Sequence, residues 1–389
     1  METLATIAPG EWDGLVHPGD LFSSYAWLRH LDDVSGAHAV VAVRASDRLV
    51  GATAVWNGER TPGLFHLRGF FTDLTGPWDE PFLWLGARRS VRNGLVCASG
   101  PLRSPALHRL LAACRDHART HGHAGVVAPY LPLPAARELV AAHPDARLLL
   151  HSADAAIDVP PDGSAGLIAR ANGHGRKRRR RELRGFTAVG HTVEWSAVTS
   201  EIAAEIAPLI AKSRRKHGSA EGVSWMTAIF AAQREAGLLD DAAVAMCRRH
   251  GELAAAAVCY RHGDSLHGRY YGATEAPDPH SSPYFVTTCV APVDYAARNG
   301  LRRVLLSTSS LQAKVLRGAT LHPLAAVVLL SRGTVAGADA HNRRTVRDYR
   351  ARFARFSSSL GPEWLDMPYQ EDPHAASGLP LPTYRQGAQ

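Results

Sequence analysis

No apolar run in this sequence approaches the ~20 consecutive residues that a helix needs to cross a bilayer, so no membrane span is expected. The opening METLATIAPGEWDG is acidic and has no basic stretch leading into an apolar core, so no secretion leader is expected either. Cysteine is scarce. The five present (Cys97, Cys114, Cys247, Cys259, Cys289) form no CxxC pair, and four sit in apolar surroundings, which argues for small core residues in a reduced, cytoplasmic protein. Also missing are a G-x-S-x-G elbow, a Cys/His arrangement, a P-loop and an HExxH helix. There are 20 histidines, but even His121-Gly122-His123 lacks neighbouring carboxylates and lies in a turn, so no metal site is expected. Lysine is nearly absent too: Lys177, Lys212, Lys216 and Lys314 are the only four among 44 basic residues.

The rest of that charge is arginine, and the formal net charge is +8. Guanidinium binds phosphate bidentately and stacks on bases, so the excess favours a polyanionic partner. A GC-rich genome would enrich Arg together with Ala, Gly and Pro, all abundant here, which weakens charge as a guide. At 389 residues, 46% hydrophobic, the chain suits two domains that each bury a core.

The N-terminal half alternates helix and strand. Leu21 to Leu28 reads as an amphipathic helix capped by Ser23 or Ser24, followed by strands at 39–43 and 49–56 around the turn Ala45 to Arg48. Another helix is expected from Leu107 to Ala118 and a buried strand from Gly125 to Ala128. Between them, Phe70 to Glu80 sets aromatics beside carboxylates, and Asp73 and Trp78 are candidates for binding an acceptor amine. The simpler alternative is a surface loop folded onto the core.

Pro160-Pro161-Asp162-Gly163 marks a domain boundary near 160, giving domains 1–160 and 161–389. Six consecutive cations follow: Arg176, Lys177, Arg178, Arg179, Arg180 and Arg181. Such a run needs solvent or phosphates around it. Just before it, Arg170-x-x-Gly173-x-Gly175 matches an R-x-x-G-x-G pyrophosphate loop, but no strand is expected ahead of it and a run of cations follows. Helices are expected over 202–210 and 225–236, the first ending in Arg214, Arg215 and Lys216 and the second capped by Ser224. Three strands at 242–247, 253–260 and 265–271 form a meander. Beyond them come a strand at 325–330, a basic helix over 343–356 and an irregular tail.

The stretch from Ser281 to Gly318 organises this half. Apolar residues spaced three and four apart from Phe285 to Ala297 mark a helix that Pro292 should kink and Asn299-Gly300 should end. Val304-Leu305-Leu306 reads as a strand, and a Ser/Thr turn then leads to Lys314, Arg317 and Gly318.

Ser-Pro, an amphipathic helix ending in Asn-Gly, a strand and Lys-x-x-Arg-Gly resemble the C-terminal half of FemABX-like acyltransferases, part of the GNAT-fold superfamily. That resemblance implies a mixed α/β (α+β) fold of two tandem GNAT-like domains, each a partly antiparallel sheet flanked by helices. It also implies an amide-forming enzyme with an aminoacyl-tRNA co-substrate, direct attack by a small-molecule amine and no covalent intermediate, in peptidoglycan-type or natural-product biosynthesis. Lys314 and Arg317 would then meet donor phosphate or developing negative charge, and Tyr270 or Tyr271 would donate to the oxyanion. Glu275 or Asp294 would orient the amine. Arg176 to Arg181, Arg214 to Lys216 and Arg343 to Arg355 would grip tRNA; DNA is not expected. An acyl-CoA N-acyltransferase and a non-catalytic RNA-binding protein are the alternatives.

Overall fold

In the computed structural model, residues 1–36, 38–58, 65–216, 218–274 and 283–367 are described. They contain thirteen strands: β1 (Glu2–Thr3), β2 (Ala39–Ala45), β3 (Arg48–Asn57), β4 (Phe82–Leu85), β5 (Val96–Cys97), β6 (Gly125–Pro132), β7 (Arg147–Asp158), β8 (His191–Ala197), β9 (Ala242–Arg249), β10 (Glu252–His262), β11 (Ser265–Ala273), β12 (Arg303–Leu305) and β13 (Thr320–Leu330). The chain divides into two compact units, one of Met1–Ala153 with His322–Gln389 and the other of Asp154–Leu321. No described helix is long and apolar enough to cross a membrane.

In the first unit, Ser46 and Asp47 both take positive φ (47° and 65°), as a two-residue hairpin between β2 and β3 requires. Strand β4 pairs antiparallel with β3 but parallel with β6, and a parallel neighbour needs a crossover. The helix Arg103–Thr120 supplies it. The Ser24 hydroxyl caps the helix Tyr25–Ser35, accepting from Trp27 N at 3.3 Å. An aromatic core gathers Trp56, Phe70, Phe71, Trp78, Trp84 and Tyr130.

The second unit repeats the plan. Strands β8 to β11 form an antiparallel meander, and β11 pairs parallel with β12. The crossover is one helix in three parts: Pro283–Phe285, a π turn at Val286–Val290, and Ala291–Arg298. The π turn is the local answer to Pro292. Proline offers no N–H and crowds the preceding turn, so the helix widens before it, with Ala291 N reaching back to Val286 O. Gly300, at φ +68°, ends the element, as expected from Asn-Gly.

Two expectations change. The cut falls at 153/154 rather than near 160, and everything from His322 onward belongs to the first unit, where β13 pairs with β6 from Leu324↔Pro132 to Leu330↔Gly125. An unbroken apolar strand suits the centre of any sheet, so its composition could not show which sheet it joins. The helix Val223–Glu235 also begins after Gly222 with no side-chain cap, so Ser224 does not cap it.

Candidate functional site

Strands β11 and β12 pair only at Ser265↔Arg303, Leu266↔Val304 and His267↔Leu305. Here β12 ends while β11 runs on to Ala273, and around this notch in the pairing stand Tyr271 on β11, Tyr284 at the head of the crossover helix, and the loop after β12. Tyr271 and Tyr284 meet edge to face, 4.9 Å between centroids. Burial raises the pKa of both phenols, so both remain hydrogen-bond donors at neutral pH. A hydrogen bond with Ser310 partly offsets the rise at Tyr284.

The loop is strained. Ser307 (φ 69°) and Ser310 (φ 51°) are non-glycine residues in left-handed backbone, a conformation held only where the surroundings impose it. Lys314 imposes it. Its side chain is buried, and its ammonium donates to Leu306 O and, at 3.1 Å, to Ser307 O. Burial pulls its pKa down to about 8, against the nearby Cys289 and Asp154. Lys314, expected to meet donor phosphate or developing charge, instead donates to the loop's own carbonyls.

Arg317 is likewise committed. Its guanidinium donates to Glu182 Oε1 (2.7 Å) and Oε2 (3.3 Å) and to Ala313 O (2.9 Å), and lies 3.0 Å from the Phe285 ring centroid. Arg179 turns inward too, donating to Leu167 O (2.7 Å) and Leu316 O (3.4 Å). Desolvation lowers the pKa of both guanidiniums, each opposed by Glu182. Gly318, at φ +100°, lets the backbone pass beneath them: a Cβ there would stand 2.8 Å from Leu167 Cδ1.

The basic run is the helix Gly173–Ala188. Its inner side carries Arg179, Glu182, Leu183 and the buried Phe186, with Arg178 half-buried. Arg176, Lys177, Arg180, Arg181 and Arg184 are all exposed. Spaced at i, i+1, i+4, i+5 and i+8, they fall on one face of the helix and make no ion pair among the described residues. The Arg170 to Gly175 match loses its context. Arg170 ends the helix Gly163–Ala169, so a helix rather than a strand precedes the turn, and Asn172 Oδ1 already accepts from Gly175 N at 2.8 Å.

The other candidates scatter. Tyr270 points to the opposite sheet face from Tyr271, into a buried group with Phe230, Tyr260 and Gln233. Arg214 is held by Ser219, Glu221 and the Trp225 ring, 4.4 Å away, while Arg215 and Lys216 are exposed. Asp294 caps the helix Gly163–Ala169, accepting from Ser164 N (2.7 Å) and Oγ (2.9 Å). Glu275 lies outside the described residues. In the first unit, Asp73 is paired with His341 (2.9 Å) and Arg344 (3.0 Å), and Trp78 is buried, donating to Leu74 O at 2.7 Å. Both corrections have one cause: the 70–80 loop folds onto its own core, so its aromatics and its carboxylate are spent internally. Sequence reasoning missed Tyr284 and Glu182, whereas the Ser/Thr turn ahead of Lys314 is legible in it.

Residues 166–331 match the FemAB-like family profile, described as peptidoglycan biosynthesis/recognition. The matched span covers most of the second unit. The fold agrees with a crystal structure of FemX at TM-score 0.56 and 13% identity, covering 83% of this chain and 96% of that one. A conserved protein of unknown function from Bacteroides thetaiotaomicron aligns at TM-score 0.51 and 13% identity, over 83% of this chain and 98% of that one. The C-terminal domain of a putative lysylphosphatidylglycerol synthetase from Agrobacterium fabrum aligns at TM-score 0.51 and 12% identity, over 88% and 94%. No curated protein matches the sequence. At such identities the structural likenesses establish the mixed α/β fold of FemX, and the family profile singles out the unit that contains the β11/β12 notch.

Proposed function

We propose that this chain is an amide-forming acyltransferase whose FemAB-like unit takes its acyl group from aminoacyl-tRNA in the cytoplasm and passes it to a small-molecule amine. The observation that carries the reading is the FemAB-like match over the segment that holds the β11/β12 notch, in the same unit as a helix presenting five exposed cations. A neutral amine attacks the ester carbonyl, the C–N bond forms, the C–O bond to the ribose breaks, and the departing hydroxyl gains the proton that the amine loses. No enzyme nucleophile is needed. The Tyr271 and Tyr284 phenols are the donors available to the transient oxyanion, and Lys314 keeps the loop beside them in shape.

Coenzyme A fits less well. A pyrophosphate loop belongs between a strand and a helix. In this unit that position is Thr274-Glu275-Ala276-Pro277-Asp278-Pro279-His280-Ser281-Ser282, which contains no glycine and no arginine. Phosphates along a tRNA stem suit the outward cations of the Gly173–Ala188 helix. The acceptor is an amine of peptidoglycan-precursor or natural-product type.

The test uses tRNA charged with labelled amino acids, filter retention across a salt series, and label transfer to candidate amines. Retention should fall steeply with salt, and replacing the five outward cations by alanine should flatten the log–log slope by about 1 for each phosphate no longer neutralised. Retention without transfer to any amine would leave an RNA-binding protein. Transfer from acyl-CoA in place of tRNA would replace the reading.

A further inference from the structure

A serine just before a helix ordinarily takes extended backbone and caps the helix with its hydroxyl. Ser310 precedes the helix Leu311–Val315, yet it stands at φ 51°, ψ 39°, and its side chain makes no cap bond there. Lys314 holds this left-handed turn at two points. Its backbone N–H donates to Ser310 O at 3.2 Å, and its ammonium donates to Ser307 O at 3.1 Å. Ser307, itself at φ 69°, is tied down further by Ala155 N, 3.3 Å from the same carbonyl. The hydroxyl withheld from capping forms a hydrogen bond with the Tyr284 phenol. Backbone strain of this kind persists only where the surroundings over-determine it, and it gathers at functional sites.

The other hydroxyl at this phenol among the described residues belongs to Thr288, four positions along the crossover helix. A hydroxyl has one proton to give, and Thr288 gives its own to Tyr284 O at 2.6 Å. Toward the phenol Thr288 can therefore only accept, which leaves Ser310 as the donor. We propose that Ser310 is a positioning residue: its hydroxyl donates to the Tyr284 phenol oxygen and leaves the phenol's own proton to hydrogen-bond the oxyanion in the notch. The inference rests on the acyl-transfer reading above and deepens it. During the reaction the phenol turns its O–H from Thr288 to the oxyanion, while the bond from Ser310 stays in place and no proton leaves Tyr284. A bond donated into the phenol oxygen also polarises the O–H and strengthens it as a donor. Burial and the nearby Cys289 raise the pKa of this phenol, and the hydrogen bond with Ser310 opposes that rise.

The experiment measures label transfer from charged tRNA to one amine acceptor, using the full chain. Ser310→Ala and Ser310→Gly should each lower kcat about tenfold, the scale of one hydrogen bond, with KM for the amine changed less than about twofold. Glycine takes left-handed backbone without cost, so Ser310→Gly should melt no lower than the wild type while still losing rate. Tyr284→Phe should lower kcat about a hundredfold, as loss of an oxyanion donor does. In the Tyr284→Phe chain, Ser310→Ala should change kcat less than about twofold, because the serine acts through the phenol. Absorbance titration, with the Tyr284→Phe curve subtracted, should show the Tyr284 phenol ionising at higher pH in Ser310→Ala. An unchanged kcat in folded Ser310→Ala and Ser310→Gly overturns the positioning role and leaves the transferase reading standing. So does a Ser310→Ala loss that persists in full without the Tyr284 phenol. Transfer from no charged tRNA overturns both.

Discussion

Lys314 shows how burial can turn a residue expected to meet ligand into part of the scaffold. Its ammonium has no carboxylate bonded to it among the described residues and donates to two backbone carbonyls, Leu306 O and Ser307 O. Because its folded pKa is depressed to about 8 from 10.5, the unfolded chain binds more protons between those values, and stability due to this residue rises with pH across that window. Comparing denaturant unfolding of the wild-type chain with Lys314→Met should therefore show a difference that changes by up to about 1.4 kcal/mol per pH unit from pH 8 toward 10 and stays flat below 7. A flat difference throughout would mean that burial does not depress this amine's proton affinity. Glu182 is the complementary case. Its carboxylate answers two inward-turned guanidiniums, so Glu182→Ala leaves Arg317 and Arg179 uncompensated and should cost about 3 kcal/mol in urea unfolding, with Glu182→Gln recovering part of it. The motif Lys-x-x-Arg-Gly was legible in the sequence as a place; the partners that absorb its charges were not, because Glu182 lies 135 positions away from Arg317.

At the scale of elements, periodicity is a sound guide where one face of an element is buried. The hairpin at Ser46-Asp47, the β9–β11 meander and the crossover helix with its proline disturbance all stand where the apolar spacing puts them. Periodicity says less about which way a two-sided strand faces its neighbours. Tyr270 and Tyr271 are equal candidates as adjacent aromatics, yet strand alternation sends only Tyr271 to the notch. Next to them, Gly272 allows the helix Ser200–Lys216 to lie directly on β11: a Cβ there would stand 2.4 Å from Ile210 N and from the Leu209 carbonyl carbon. The clash is with backbone, which no rotamer change relieves. Gly272→Ala should lower stability by about 2 kcal/mol or more and loosen the helix, read as a fall in thermal midpoint together with faster amide exchange along 205–213. An unchanged midpoint would mean that the helix has room to rise.

For the whole molecule, chain order and unit membership part company after Leu321. In the first unit's sheet β13 lies against β6, and the unit's core is closed by the helix Ala338–Arg352, where His341 bridges Asp73 and Leu150 O (2.7 Å) and Asn342 bridges Leu148 O and Leu150 N, each at 2.8 Å. Composition at Pro160 to Gly163 exposed a turn, which a local signal can do, but pairing between residues nearly 200 positions apart leaves no local trace. A chain ending at Leu321 would look, by the sequence boundary, like a loss from the second domain alone. The structure predicts the reverse: β6 would be left with an open edge, Leu324, Val328 and the other core residues of β13 would be gone, and Asp73 would lose both partners, His341 and Arg344. The first unit should then fail to fold cooperatively. Intrinsic fluorescence of Trp56, Trp78 and Trp84 should shift toward that of solvent-exposed indole, and protease should cleave within 1–153 before it cleaves within 154–321. Native-like tryptophan emission from the shortened chain would show that β6 and its core hold together without the returning strand.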